Sequence, residues 1–190
     1  MITAEALREI MDYDPEAGVF RWRDTFAAGM QCGRRADIRR GNPKAGDIVS
    51  GPLQKHGYRV ITLSGKAYYE HRLAWLHVHG EFPAKGLCID HVNGDPADNR
   101  LCNLRVGTHA QNHANTRLLR SNNTTGYRGV TYVQHWRTGQ RNGRYRASVI
   151  CRGEVYNSPT FADAKDAAAW RDAMAKKVHG EFARLNDEGA

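Results

Sequence analysis

The sequence predicts an α+β protein of two modules: a strand–loop–strand–helix unit with its own lead-in, then a three-stranded antiparallel sheet packed on one helix. Three observations carry this expectation. Residues 87–115 order as strand, loop, strand and helix, residues 127–179 order as three strands and a helix, and a polar stretch without apolar periodicity, residues 116–126, stands between them. With 190 residues there is enough apolar sequence for one medium core or two small ones.

Thr3 caps a first helix whose Leu7, Ile10 and Met11 fall on one side, and Asp12-Tyr13-Asp14-Pro15 reads as the turn that stops it. Val19-Phe20-Arg21-Trp22 alternates as a half-buried strand does. Residues 24–47 carry Arg34, Arg35, Arg39 and Arg40 among glycines, a loop that is either solvated or set against phosphates. Tyr58 to Leu63, a Ser64-Gly65-Lys66 turn and Ala67-Tyr68-Tyr69 form a β-hairpin. His71 to Val78 follows as a short helix closed by Gly80, with Leu73, Trp75 and Leu76 facing the core.

Leu87-Cys88-Ile89 is a short strand that runs into Asp90-His91, and Asn93-Gly94-Asp95-Pro96 is dense turn chemistry. Leu104 to Val106 returns as a second strand. Thr108 with Gln111 three residues on is a capping box, so a helix begins there and carries Asn112. This order gathers Asp90, His91, Asn103 and Asn112. Adjacent residues on a regular strand point to opposite faces, so Asp90 and His91 share a site only if the strand ends or bulges there. Taken singly, each of these residues also fits an ordinary polar loop.

The charge pattern names a partner class. The chain nets +8 with a pI near 9.5, and Asn99 to Gly153 holds ten arginines with no lysine, aspartate or glutamate. Such a one-signed segment points to a polyanion, for which nucleic acid is the commonest case. Cys32, Cys88, Cys102 and Cys151 form no Cys-x-x-Cys pair, which argues against a zinc ribbon and a secreted disulfide scaffold. The amino-terminal residues lack a signal-peptide core and no apolar run approaches a membrane span, so the expected compartment is a reducing cytoplasm with no membrane partner.

The set Asp90, His91, Asn103 and Asn112 resembles the HNH endonucleases, the ββα-metal nucleases, in the form found in phage and intron homing enzymes. The resemblance implies that His91 is the general base, that Asn103 braces the loop and orients the histidine, and that Asp90 and Asn112 hold one divalent cation. Two oxygen ligands suit Mg²⁺, or Mn²⁺, better than Zn²⁺. The family pattern carries Arg72 and Arg105 as DNA contacts. His-Arg-Leu-Ala-Trp at 71–75 is similar to a stretch that precedes the motif in phage relatives, so His71 either approaches the scissile phosphate or hydrogen-bonds within the core.

Beyond the polar boundary, Tyr127-Arg128-Gly129-Val130, then Arg144-Tyr145-Arg146-Ala147, then Phe161, an Ala-rich helix and His179-Gly180-Glu181-Phe182 resemble the Apetala-type (ethylene-response-factor) DNA-binding domain. That resemblance implies a sheet laid in the major groove, with Arg128, Tyr145 and Arg146, and then Trp136, Arg137 and Arg144, as DNA contacts. The sequence thus divides into a nuclease domain at residues 1–118, a linker at 119–126 and a DNA reader at 127–186. The expected activity is metal-dependent cleavage of double-stranded DNA by a phage or prophage homing endonuclease in a bacterial cytoplasm. A monomer is the favoured state and would nick one strand, whereas a dimer could cut both. The competing readings are a non-catalytic DNA-binding transcriptional regulator and, less well supported by the residues, an RNA-binding protein.

Overall fold

The computed structural model describes residues 2–23, 44–116, 119, 121–134 and 143–186. The chain divides into two compact units, Met1–Gly107 and Thr108–Ala190.

In the first unit α1 (Ala4–Ile10) starts where Thr3 Oγ1 accepts the Ala6 N–H, and it buries Leu7. It runs directly into β1 (Met11–Asp14), which pairs with β2 (Val19–Trp22); β3 (Ile48–Val49) completes an antiparallel sheet in the order β1-β2-β3. The turn expected at Asp12 to Pro15 is therefore a strand in its first three residues. Met11↔Trp22 and Tyr13↔Phe20 are cross-strand partners with all four side chains buried, and this burial outweighs the turn propensity of two aspartates. The reversal comes after Asp14, whose Oδ1 accepts the Glu16 and Ala17 N–H groups.

The hairpin β4 (Val60–Leu63) and β5 (Lys66–Tyr69) turns through Ser64 and Gly65, both at positive φ, as a two-residue hairpin loop requires. The helix α2 (Glu70–His79) ends on left-handed Gly80, and the Arg8 guanidinium donates to the His77 carbonyl in its last turn. Two further strands, β6 (Leu87–His91) and β7 (Leu104–Thr108), form a two-stranded sheet. Leu7, Met11, Phe20 and Leu73 are the largest fully enclosed side chains among the described residues of this unit; Ile61, Leu63, Leu76, Ile89 and Leu104 pack in the same core. Trp75 is only partly buried, its ring stacked on His79 at 3.9 Å.

The second unit opens with α3 (His109–Ala114), whose capping box joins Thr108 and Gln111 as the sequence indicates. The strands β8 (Val130–Val133), β9 (Arg144–Cys151) and β10 (Glu154–Phe161) form an antiparallel meander in the order β10-β9-β8. The first strand begins later than the sequence pattern places it, because Gly129 takes a φ of +69°. A register shift between Asn157 and Thr160 leaves the Ala147 N–H without a ladder partner, and buried Ser158 Oγ accepts it at 2.8 Å. Helix α4 (Ala164–His179) starts at the Asp163 cap; its Ala167, Ala168 and Ala175 are buried, as is Ala147 on β9, and small side chains permit that close approach. On α4, buried Asp172 accepts both the backbone and side-chain N–H groups of Asn186, which lies past the helix and whose Oδ1 accepts the Arg128 N–H.

Candidate active site

The strand β6 ends at His91, and Ile89, Asp90 and His91 are all buried in succession. At this strand end the three side chains take different neighbours. Ile89 serves the core, Asp90 meets Arg105 on β7, and His91 lies against the rings of His71 at 5.2 Å and Tyr58 at 5.9 Å. The Asp90 charge also raises the Tyr58 phenol, after burial as the larger cause, so both residues act on one aromatic neighbour.

The loop beyond His91 is closed by Asn103. Its Oδ1 accepts the Asn93 N–H at 2.9 Å, its Nδ2 donates to the Asp98 carbonyl at 2.8 Å, and its carbonyl accepts the Val92 N–H. One side-chain amide thus ties both ends of residues 92–98 together. Within that loop the Arg100 guanidinium beside Asp98 holds its carboxyl down to about 2.

A polar contact to the histidine comes from Asn99, whose Oδ1 stands 3.3 Å from His91 Nε2 while its Nδ2 donates to Glu70 Oε2 at 3.1 Å. Glu70 Oε1 accepts the Gly51 N–H at 2.8 Å. Burial raises the Glu70 carboxyl against the pull of donors at Gly51, Ser50 and Asn99 and the charge of Arg59. Sequence reasoning missed Glu70, Asn99 and Tyr58 as site residues. A carboxylate at the first position of a helix reads as a dipole-complementing surface group, and Asn99 reads as one more polar loop residue.

Burial sets the protonation of the two histidines. It pushes His71 down to about 3, helped by the neighbouring His91 and Arg72 charges, and it lowers His91 against the opposing Asn99 hydrogen bond and Asp90 charge. In both rings burial favours the neutral form. A neutral imidazole is the form that takes a proton from water.

Asp90 offers hard carboxylate oxygen, the donor type that Mg²⁺ or Mn²⁺ prefers. Arg105 meets it through Nε at 2.9 Å and Nη2 at 2.8 Å, both on Oδ2. The chemistry of Asp90 therefore fits a divalent cation, with a guanidinium sharing one of its oxygens. Asn112 lies half-buried on α3, in the second unit. Among the described residues no group of three or more His, Cys, Asp or Glu side chains could hold a metal; a pair of one Asp and one Asn is a different class of site.

Of the expected DNA contacts, Arg72 is half-buried on α2 with its guanidinium over the Phe82 ring at 5.1 Å. Arg144 and Arg146 are exposed on β9, and Arg146 stands between Thr131 and Thr160 of the flanking strands. Tyr145 points the other way, packed with Val130 and Ala147 and against the Tyr132 ring. Arg128 is half-buried, and burial with the Arg171 and Arg184 charges lowers its guanidinium. Trp136 and Arg137 lie outside the described residues, as do Arg34, Arg35, Arg39 and Arg40. Among the described residues no helix is long and apolar enough to cross a membrane.

A family model described as HNH endonuclease matches residues 68–114, the run from β5 to the end of α3. The chain is 30% identical over 120 residues to protein 3.8 of Escherichia phage T7, covering 63% of this chain and 92% of that protein. It is 31% identical over 134 residues to the uncharacterized HNH endonuclease L560 of Acanthamoeba polyphaga mimivirus, covering 70% of this chain and 65% of that protein. No solved structure matches.

Proposed function

Because the chain belongs to the same family as protein 3.8 of Escherichia phage T7 and carries an HNH endonuclease domain at residues 68–114, we propose that it is a metal-dependent, homing-type endonuclease that hydrolyses phosphodiester bonds of double-stranded DNA. The observation that carries the reading is His91, buried at the end of β6 beside Asp90, with the following loop clamped by Asn103.

His91 takes one proton from a water molecule, the hydroxide attacks phosphorus as the bond to the 3′ oxygen breaks, and that oxygen takes a proton from solvent, leaving a 5′-phosphate and a 3′-hydroxyl. Asp90 and Asn112 are the proposed ligands of one divalent ion, Mg²⁺ foremost. When bound, that ion stabilises charge on the phosphate and the leaving oxygen. Asn103 keeps the loop in register, and Arg72 and Arg105 supply positive charge toward the DNA backbone. The C-terminal sheet, taken as an Apetala-type DNA reader over residues 127–186, offers Arg144 and Arg146 to bases and phosphates, with Arg128 and Tyr145 as supports. One such site in a monomer nicks, and the relative encoded by Escherichia phage T7 favours action in a bacterial cytoplasm.

The test is supercoiled plasmid incubated with and without Mg²⁺, using the parent chain and His91→Ala. The expected result is Mg²⁺-dependent nicking by the parent, loss of nicking in His91→Ala, and DNA affinity unchanged between the two. A parent chain that binds DNA and cuts none would leave a non-catalytic regulator as the better reading.

A further inference from the structure

Resting on the reading of His91 as general base, we infer that Glu70 and Asn99 are positioning residues which hold His91 in its Nε2–H tautomer, so that the basic lone pair sits on Nδ1. Glu70 is buried at the start of α2, and its two carboxylate oxygens face donors: the Gly51 N–H at 2.8 Å and Asn99 Nδ2 at 3.1 Å. A carboxylate only accepts, so Asn99 must turn its NH₂ toward Glu70 and its Oδ1 toward His91. Oδ1 carries no hydrogen. The proton of the 3.3 Å contact therefore belongs to His91 Nε2, and the other ring nitrogen is the base.

Asn99 has little room to depart from this orientation. It is 3% exposed, and its carbonyl accepts the Tyr13 hydroxyl at 2.6 Å. The adjoining backbone is tied to the β1–β2 turn by the Leu101 N–H donating to the Pro15 carbonyl. A Cβ placed on Gly18 would lie 2.5 Å from Arg100 N, so the turn and this segment are in direct backbone contact. The relay Glu70 to Asn99 to His91 thus has one polarity, set at its buried carboxylate end.

That polarity can be inverted. In Glu70→Gln the new amide must give its oxygen to the Gly51 N–H and its NH₂ to Asn99. Asn99 then flips, presents its own NH₂ to His91 Nε2, and forces the proton onto Nδ1. Adding Asn99→Asp restores the original polarity, because the introduced carboxylate accepts from both the glutamine amide and His91 Nε2–H at the same total charge.

The experiment is ¹⁵N NMR of the full-length protein labelled at histidine, without metal or DNA, with the His91 signals assigned by their disappearance in His91→Gln. Plasmid nicking kinetics with Mg²⁺ run in parallel. Expected are the Nε2–H form in the parent, the Nδ1–H form in Glu70→Gln, and the Nε2–H form again in the double variant. The kcat for nicking falls about 10²- to 10⁴-fold in Glu70→Gln, the range a general base contributes, with KM for DNA unchanged, and recovers in the double variant. The Nδ1–H form in the parent overturns the inference whether or not the variant folds, and so does an unchanged tautomer in a folded Glu70→Gln. A chain that shows the inversion and its rescue yet never nicks DNA supports the positioning role and refutes the nuclease reading.

Discussion

His71 shows how burial alone sets a protonation state. Its ring is enclosed by Tyr58, Tyr69 and His91, and its pKa falls from 6.5 to about 3, with burial the largest cause. The folded protein therefore keeps this ring neutral where the unfolded chain binds a proton. The stability that depends on the neutral ring is fully present above about pH 6.5 and is lost as pH falls from there toward about 3. Over that window one extra proton bound by the unfolded state gives a slope of about 1.4 kcal/mol per pH unit. Denaturant unfolding of the parent and of His71→Gln should differ by that slope, and parallel curves would show that His71 titrates normally. Asn103 and His91 could be picked out from spacing because their intervals are short-range. The partner of His91, Asn99, could not, because an asparagine in a polar loop has the same local pattern whether it bonds water or a buried imidazole.

The element that supports the site is the β1–β2 hairpin. Its inner face is core, through Met11, Tyr13, Phe20 and Trp22, while its turn abuts the backbone of Asn99 and Arg100. Gly18 is required there twice, by a φ of +70° and by that 2.5 Å approach. Gly18→Ala should therefore destabilise the first unit by at least about 1–3 kcal/mol, the cost of a strained backbone position, with the close approach adding to it. It should also slow nicking at temperatures where the variant stays folded, because Asn99 is displaced. Thermal melts beside nicking rates check this, and an unchanged melting temperature would mean the turn yields without cost. The strand β1 was hidden in the sequence by Asp12 and Asp14, whose turn propensity is a local signal and whose pairing with β2 is not. By contrast α3, α4 and the β4–β5 hairpin were readable, since capping boxes, helix-ending glycines and two-residue turns act within a few residues.

For the molecule as a whole, the net charge of +8 and the acid-free arginine segment should make the proposed DNA binding strongly salt-dependent. Arg144 and Arg146 are exposed on one strand of the second unit and are the proposed phosphate and base contacts there. Replacing both by alanine in the full chain should weaken binding and make the slope of log affinity against log salt shallower by up to about two units, about 0.9 for each phosphate that is no longer neutralised. A salt titration of both proteins measures it; identical slopes would remove this face from the DNA interface. Composition was enough to indicate the partner class because charge adds up regardless of fold. Periodicity and caps were enough to indicate the α+β class, the C-terminal meander and its helix, because each depends on neighbours along the chain. The surroundings of His91 depended on folding. Tyr13 and Asn99 are 86 residues apart in sequence, and Glu70 and Asn99 are 29 apart. No window of sequence holds these contacts together, so which polar groups became a relay and which stayed in solvent was settled by the packing of β1, β2 and α2 around one shared core.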